Sequence, residues 1–334
     1  MTDERLIGDD PDDGDGDGDD VVSAVANPRT IVDAAARAAL RELVPGDVVF
    51  DEPMRRHTTA KMGGPADAFV RPSSIERLEA LVGWCAARGL PITVVGGGSN
   101  LLVHDAGVRG VVLNTGRLRA IALTGPTTIE VEAGVSTGKV LSLATRHDLG
   151  GVEFLGGVPG SIGGGLIMNA GTYLGELTNV VTWVESVRLA DGGRVRRDHD
   201  ACGFRYRASD LPPTEVVVRA ALALTPRPRA DIEADVKGLR ARRAAREPKK
   251  VASNGSTFKN PPGDFAGRLI EAAGCKGWQE GDAVCSPVHA NWLVNVGAAR
   301  CADMLALIER VRARVDEVHG VRLDLEVKVI GDPS

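Results

Sequence analysis

Two glycine-rich stretches have the composition best suited to hold a ligand. GGGSNLLV covers residues 96–103 and GGVPGSIGGGLIMNAG covers residues 156–171. Seven of the sixteen residues in the second are glycine. Glycine permits positive φ and lets backbone approach closely whatever lies against it. Successive N–H groups exposed in that way can surround a phosphate. One such loop reads most simply as a surface turn. Two of them, flanked by strands and separated by about 60 residues, suggest one extended ligand with a pyrophosphate, and a dinucleotide fits. The candidate contacts in the first loop are Gly96, Gly97, Gly98, Ser99, Asn100 and Leu101. In the second they are Gly157, Pro159, Gly160, Ser161, Gly163, Gly164, Asn169, Ala170 and Gly171. That composition suits neither helix nor strand, so the second stretch is expected to be loop throughout.

Other ligand templates match less well. GVSTGKV (134–140) resembles a phosphate-binding P-loop but has one residue too few between its glycines, and Val140 stands where a magnesium-binding hydroxyl is needed. DGDGDG (13–18) imitates half a calcium loop, yet its twelfth position is Ala24 rather than a bidentate glutamate. The five cysteines, at 85, 202, 275, 285 and 301, form no CxxC pair, so neither a zinc site nor a disulfide framework is expected. No metal ligand set is assigned.

The elements that must position these loops are legible in part. Helices are expected at 31–44, at 75–89 behind a capping box of Ser73 and Glu76, across STGKVLSLATRHDLG, at 230–247 and at 301–318. Strands are expected in ADAFVRP, PITVV, GVVLN, TIEVEAG, VVVRAALAL and LDLEVKVIG, with a hairpin turning at Asp191-Gly192-Gly193. Strands and helices mix without steady βαβ alternation, which favours an α+β fold. Prolines 226 and 228 suggest a boundary before a separate C-terminal unit.

The 334-residue chain has a net charge of −5, but residues 1–20 hold ten acids and one base. Removing that −9 leaves +4 on the remainder, which suits an anionic small ligand. Aromatics make up 4% of the chain, too few for extensive stacking on bases, so no nucleic-acid partner is expected. The basic run KGLRARRAAREPKK (237–250) reads as a solvated helix face that could raise the positive potential near an anionic substrate. No apolar run of membrane length and no secretory leader is seen, so a cytoplasmic protein without a membrane partner is expected.

The segments HTTAKMGGPADAFVRP, LPITVVGGGSNLLVHD and GGVPGSIGGGLIMNAGTYLGE resemble the flavin-binding part of the UDP-N-acetylenolpyruvoylglucosamine reductase family. The similarity continues through FRYRASDL, GSTFKNP, AGRLIEAAGCKG, SPVHANWLVN and LEVKVIG, in the family's order, over about residues 45–331. It implies non-covalent FAD in a fold of the vanillyl-alcohol oxidase type, NADPH as hydride donor, and reduction of UDP-N-acetylglucosamine enolpyruvate to UDP-N-acetylmuramate for peptidoglycan synthesis. It implies a monomer, and His57 has no covalent flavin link in this family. Residues 1–28 are then an acidic tail expected to be disordered. Residues 29–112 with 321–334 form one FAD-binding subdomain, 113–226 the second, and 227–320 a substrate-binding domain.

The same resemblance assigns Ser256 as proton donor, Arg207 as carboxylate-binding cation and Glu326 as active-site carboxylate. Each has a competing reading from the residues alone. Ser256 follows a glycine and could be a turn serine. Arg205 and Arg207 would share one face of a strand. Alternation in LDLEVKVI sends Glu326 to solvent, whereas the family directs it into the flavin cleft. Lys259 and Asn260 are implied substrate contacts, and Arg246 or Lys249 meets the UDP phosphates. The short path from Arg207 to GSTFKNP resembles the family form that lacks a tyrosine-bearing loop.

Overall fold

The computed structural model describes residues 30–333. The acidic tail and its calcium-loop imitation lie outside the described residues. Local chemistry accounts for the early elements. Asp33 accepts a hydrogen bond from the Ala36 N–H and starts the helix Ala34–Leu43. In the helix Ile75–Ala86, Ile75, Leu78, Leu81, Val82 and Cys85 are all buried on the side facing the sheet. Burying one such side chain contributes about 1.5–3 kcal/mol. Its cap is Ser74 rather than Ser73, accepting from the Arg77 N–H at 3.3 Å. Ser73 instead donates to the buried Asp47 at 3.2 Å, a partner too distant in sequence to enter the capping pattern.

Three larger sheets result among the described residues, beside three two-stranded ones. In the first, Val48–Pro53 runs antiparallel to Pro65–Val70, which lies parallel to Val108–Asn114, and Ile92–Val95 follows in parallel. The second is antiparallel throughout, in the order Arg194–Asp198, Val181–Arg188, Glu215–Ala223, Thr128–Glu132, Ile121–Leu123. Its first two strands are the expected hairpin, with Gly192 at φ +75. The third contains Ala252–Ser256, Trp292–Asn295, Ala283–Cys285 and Gln279–Glu280, backed by the helix Cys301–His319. The architecture is α+β. Val187, Val216 and Val218 of the second sheet share a core with the first sheet's helix. Ala60, Met62 and Leu102 share one with the third.

Two further expectations are corrected. The second glycine stretch is not all loop, because Ile162–Ile167 is a short helix. Ile162 and Leu166 are wholly buried, and the glycines let the helix press against its neighbours. A Cβ on Gly163 would lie 2.8 Å from the Ala133 Cβ, and one on Gly165 would lie 2.8 Å from Leu177. Packing overrides the poor helix propensity of glycine here.

The final strand is also shorter than LDLEVKVIG suggests and covers only Lys328–Ile330. The chain changes partners along this run. Lys259 N–H donates to Asp324 O at 2.8 Å, and Glu326 N–H donates to Thr257 O at 2.9 Å. Residues Lys328–Ile330 then pair in parallel with Leu101–Val103. The switch interrupts the ladder and brings the end of the chain back beside the first glycine loop.

Gly107 tests how tightly the first sheet is closed. It sits at φ +85, and a Cβ there would fall 1.9 Å from Pro65 O. Gly107→Ala should destabilise the fold by about 2–3 kcal/mol, through strain and clash together. A thermal melt that matches the unsubstituted protein would contradict this.

Candidate active site

Arg207 and Glu326 meet. Arg207 Nε donates to Glu326 Oε1 at 3.1 Å, and both side chains are largely buried, 18% and 15% exposed. Arg207 Nη2 donates to Gly171 O at 3.0 Å. Nη1 is buried with no hydrogen-bond partner, and Glu176 Oε1 lies 3.6 Å from it. Arg207 does not lie on a strand face with Arg205. Arg205 and Ala208 exchange backbone hydrogen bonds around a two-residue turn, and Arg207 occupies its left-handed position at φ +52. That geometry separates the two arginines. Arg205 pairs with the exposed Asp210, whereas Arg207 points inward.

Burial pushes the Glu326 carboxyl above its ordinary value of 4.5, and the nearby Arg207 and Lys259 cations draw it partly back. The solvent-facing alternative from strand alternation therefore fails, because residues 324–327 pair with 257–259 rather than continuing one ladder. Ser256 ends the strand Ala252–Ser256 and immediately precedes Thr257, whose carbonyl receives the Glu326 N–H. A cleft of about 580 Å³ is lined by Tyr206, Lys259, Asn260, Pro261, Pro262, Arg322 and Asp324. Tyr206 is the turn neighbour of Arg207, whose guanidinium lies 5.1 Å from the Tyr206 ring centroid, so the cleft borders the ion pair. Asn260 Oδ1 also accepts from Ala266 N–H, which fixes its orientation. Arg246 is exposed at the end of the helix Arg229–Arg246. Tyr206, Glu176, Arg322 and Asp324 were missed as site residues. Tyr206 and Glu176 lie inside FRYRAS and GTYLGE, but nothing in those runs says which way either side chain turns.

The two glycine loops face each other. A Cβ on Gly97 would lie 3.3 Å from Gly160 Cα, one on Gly96 would lie 2.8 Å from Ser161 Oγ, and one on Gly160 would lie 2.7 Å from Ser99 Oγ. Ser161 Oγ is buried without a hydrogen-bond partner. A glycine cradle with an unpaired buried hydroxyl fits a dinucleotide's diphosphate. Not every glycine serves that purpose. A Cβ on Gly98 would fall 1.9 Å from His57 O, so Gly98 makes room for the protein's own backbone. Gly163 does the same against Ala133. The Asn169 side chain is wholly buried, donates to Glu176 and Arg205 O, and accepts from Thr178 N–H. Those bonds use both Nδ2 hydrogens and one Oδ1 lone pair. Asn100 donates to Glu326 O at 3.0 Å, tying the first loop to the residue that pairs with Arg207. His57 stacks on Phe69 and bonds Glu52 at 2.9 Å.

A glycine cradle suited to a dinucleotide, tied to a buried guanidinium–carboxylate pair, matches what a flavin-dependent oxidoreductase must supply: a seat for the cofactor and charge beside it. Residues 66–197 match the FAD binding domain family, and residues 247–330 match the family described as UDP-N-acetylenolpyruvoylglucosamine reductase, C-terminal domain. The chain is 44% identical over 296 residues to the UDP-N-acetylenolpyruvoylglucosamine reductase of Anaeromyxobacter dehalogenans, covering 89% of each. It is 44% identical over 287 residues to that of Rubrobacter xylanophilus, covering 85% of this chain and 95% of the relative. The crystal structure of the Thermus caldophilus UDP-N-acetylenolpyruvylglucosamine reductase superposes with a TM-score of 0.73 at 37% identity, covering 85% of this chain and 98% of that one. The chain belongs to the UDP-N-acetylenolpyruvoylglucosamine reductase family.

The raised Glu326 carboxyl has a measurable consequence. The folded chain keeps this proton to higher pH than the unfolded chain. Its stability contribution is full below the ordinary value of 4.5 and declines as pH rises through the raised folded value. Melting temperatures of the wild type and Glu326→Gln, compared across pH, should show the wild type losing ground to the variant above about 4.5. A pH-independent difference would count against the buried carboxyl.

Proposed function

We propose that this chain reduces the enolpyruvyl double bond of UDP-N-acetylglucosamine enolpyruvate to give UDP-N-acetylmuramate, with FAD bound and NADPH as hydride donor. Family membership supports the reaction, and the Arg207–Glu326 contact at 3.1 Å carries the assignment of the site. FAD, when bound, supplies the hydride chemistry. Gly96, Gly97, Ser99, Gly160 and Ser161 would hold its diphosphate, through backbone N–H groups and the unpaired Ser161 hydroxyl.

The remaining work falls to side chains. Reduction of the vinyl group leaves negative charge on the substrate carbon beside the carboxylate. Arg207 keeps its guanidinium charged and presents an unclaimed Nη1 to that charge. Glu326, raised by burial, is more easily kept protonated than an exposed carboxylate and in that form donates a hydrogen bond to the developing enediolate. Ser256 supplies the proton. A serine hydroxyl is a weak acid, so it gives its proton only to a strongly basic partner, and a carbanion is one. Lys259 and Asn260 face the substrate in the cleft, and either Arg246 or Lys249 meets the UDP phosphates.

Three further parts of the reading follow. The chain divides into 29–112 with 321–334, 113–226 and 227–320; the three larger sheets support this, whereas Ile232 and Val236 pack into the core of 113–226 and Leu323 and Val327 into that of the third sheet. It acts as a monomer on a small molecule, without nucleic-acid or membrane partners, and no described helix is long and apolar enough to cross a membrane. It works in the cytoplasm, a reducing compartment compatible with five free, buried cysteines.

Ser256→Ala separates the two half-reactions. Reduction of the bound flavin by NADPH should persist, while its reoxidation by the enolpyruvyl substrate should slow by about 10²–10⁴-fold. Rapid-mixing absorbance reads both. Equal slowing of the two would remove Ser256 as proton donor.

A further inference from the structure

Arg207 is gripped from two sides, and only one of them is Glu326. On the other side lies Glu176, at 3.6 Å from Nη1. That separation is too long for a hydrogen bond but short enough for strong attraction between partly buried charges. Glu176 is itself fixed. Its Oε2 accepts from Asn169 Nδ2 at 2.8 Å, its N–H donates to Asn179 Oδ1 at 2.8 Å, and its backbone pairs with Gly171. Gly171 O is the acceptor for Arg207 Nη2. The second Asn169 Nδ2 bond, at 3.2 Å, goes to Arg205 O at the base of the turn that carries Arg207. Asn169 thus closes a ring that joins both ends of the device, from inside the core and at φ +44.

We infer that Glu176 is a positioning residue for the reaction, acting through Arg207. It holds the guanidinium in the orientation that leaves Nη1 unclaimed for the substrate's carboxylate, with Asn169 as its anchor. Each guanidinium nitrogen needs its own anchor because Arg207 stands on a tight turn, where a long side chain has many rotamers to lose. Glu326 fixes Nε and the Gly171 carbonyl fixes Nη2. Glu176 attracts Nη1 without consuming its hydrogens, so the donor stays available when substrate arrives. Neutralising Glu176 leaves the bond from Asn169 with an acceptor but removes the attraction, and Arg207 can then swing toward Glu326.

This inference rests on the reductase reading, and the experiment keeps the two apart. The holoenzyme, with Glu176→Gln, Arg207→Lys and the double variant, is compared with the wild type in both half-reactions, in thermal melting and in flavin content. Substrate-dependent NADPH loss by the wild type tests the reading; its absence there would overturn that reading, and this inference with it. Given an active wild type, Glu176→Gln should slow reoxidation by the enolpyruvyl substrate about tenfold. Reduction by NADPH should stay within about twofold, with flavin content retained. In the Arg207→Lys background the same change should add little, since residues acting through one group are not additive. Wild-type behaviour in Glu176→Gln would overturn the inference. So would equal slowing of both half-reactions with a lowered melting temperature, or effects that multiply in the double variant. Should Glu176→Gln fail to fold, Glu176→Asp, which keeps the charge but draws it away from Nη1, carries the comparison: reoxidation should slow by about two- to fivefold with reduction by NADPH within about twofold, and wild-type reoxidation or equal slowing of both half-reactions would overturn the inference.

Discussion

The contact between Arg207 and Glu326 is the constraint around which the other parts are arranged. It joins residues 119 positions apart, on a turn and on an irregular segment, with both side chains mostly removed from water. An ion pair in that setting is only tolerable when both partners stay in register. Removing one partner of a buried pair typically costs about 3–5 kcal/mol, because the other charge is left behind. The protein secures each member separately. The turn exchanges backbone bonds between Arg205 and Ala208, and Glu326 hangs from Thr257 by its own N–H. Asn100 binds the Glu326 carbonyl from the first glycine loop. The same few hydrogen bonds therefore bring the first glycine loop, the end of the strand Ala252–Ser256 and the charged pair to one place.

The glycines divide into two kinds. Gly96, Gly97 and Gly160 let the two facing loops approach each other closely, where Ser161 keeps an unpaired hydroxyl. Gly98, Gly163 and Gly165 clear space for the protein itself, admitting His57, Ala133 and Leu177. The cradle needs both, since loops that open toward a ligand must be braced by close backbone contacts behind. The imperfect P-loop GVSTGKV supplies part of that brace. Ser136 caps the helix Thr137–Arg146, and Thr137 N–H donates to Gly160 O at 3.2 Å.

The basic helix also changes meaning in three dimensions. Arg243 donates to Gly157 O and pairs with Glu247, Arg240 reaches Gly156 O at 3.4 Å, and Arg242 lies over the ring of Tyr173. Several of its charges clamp the second glycine stretch instead of facing only solvent. The cation density that looked like a diffuse potential is partly a structural bracket for the cofactor loop.

Much of this protein was legible in one dimension. The paired glycine loops, the helix at Ile75–Ala86, the Asp191-Gly192-Gly193 hairpin and the order of the family motifs all depend on residue type and short spacing, which sequence carries directly. What sequence could not decide were choices made by distant partners. Ser74 caps its helix because Asp47 engages Ser73. IGGGLI becomes a helix because Ala133 and Leu177 wait at glycine distance. Glu326 turns inward because its segment pairs with Thr257 before joining Leu101–Val103, and Arg207 parts from Arg205 because a turn, not a strand, carries it. In each case a contact with a remote segment, which local pattern does not carry, decided the outcome.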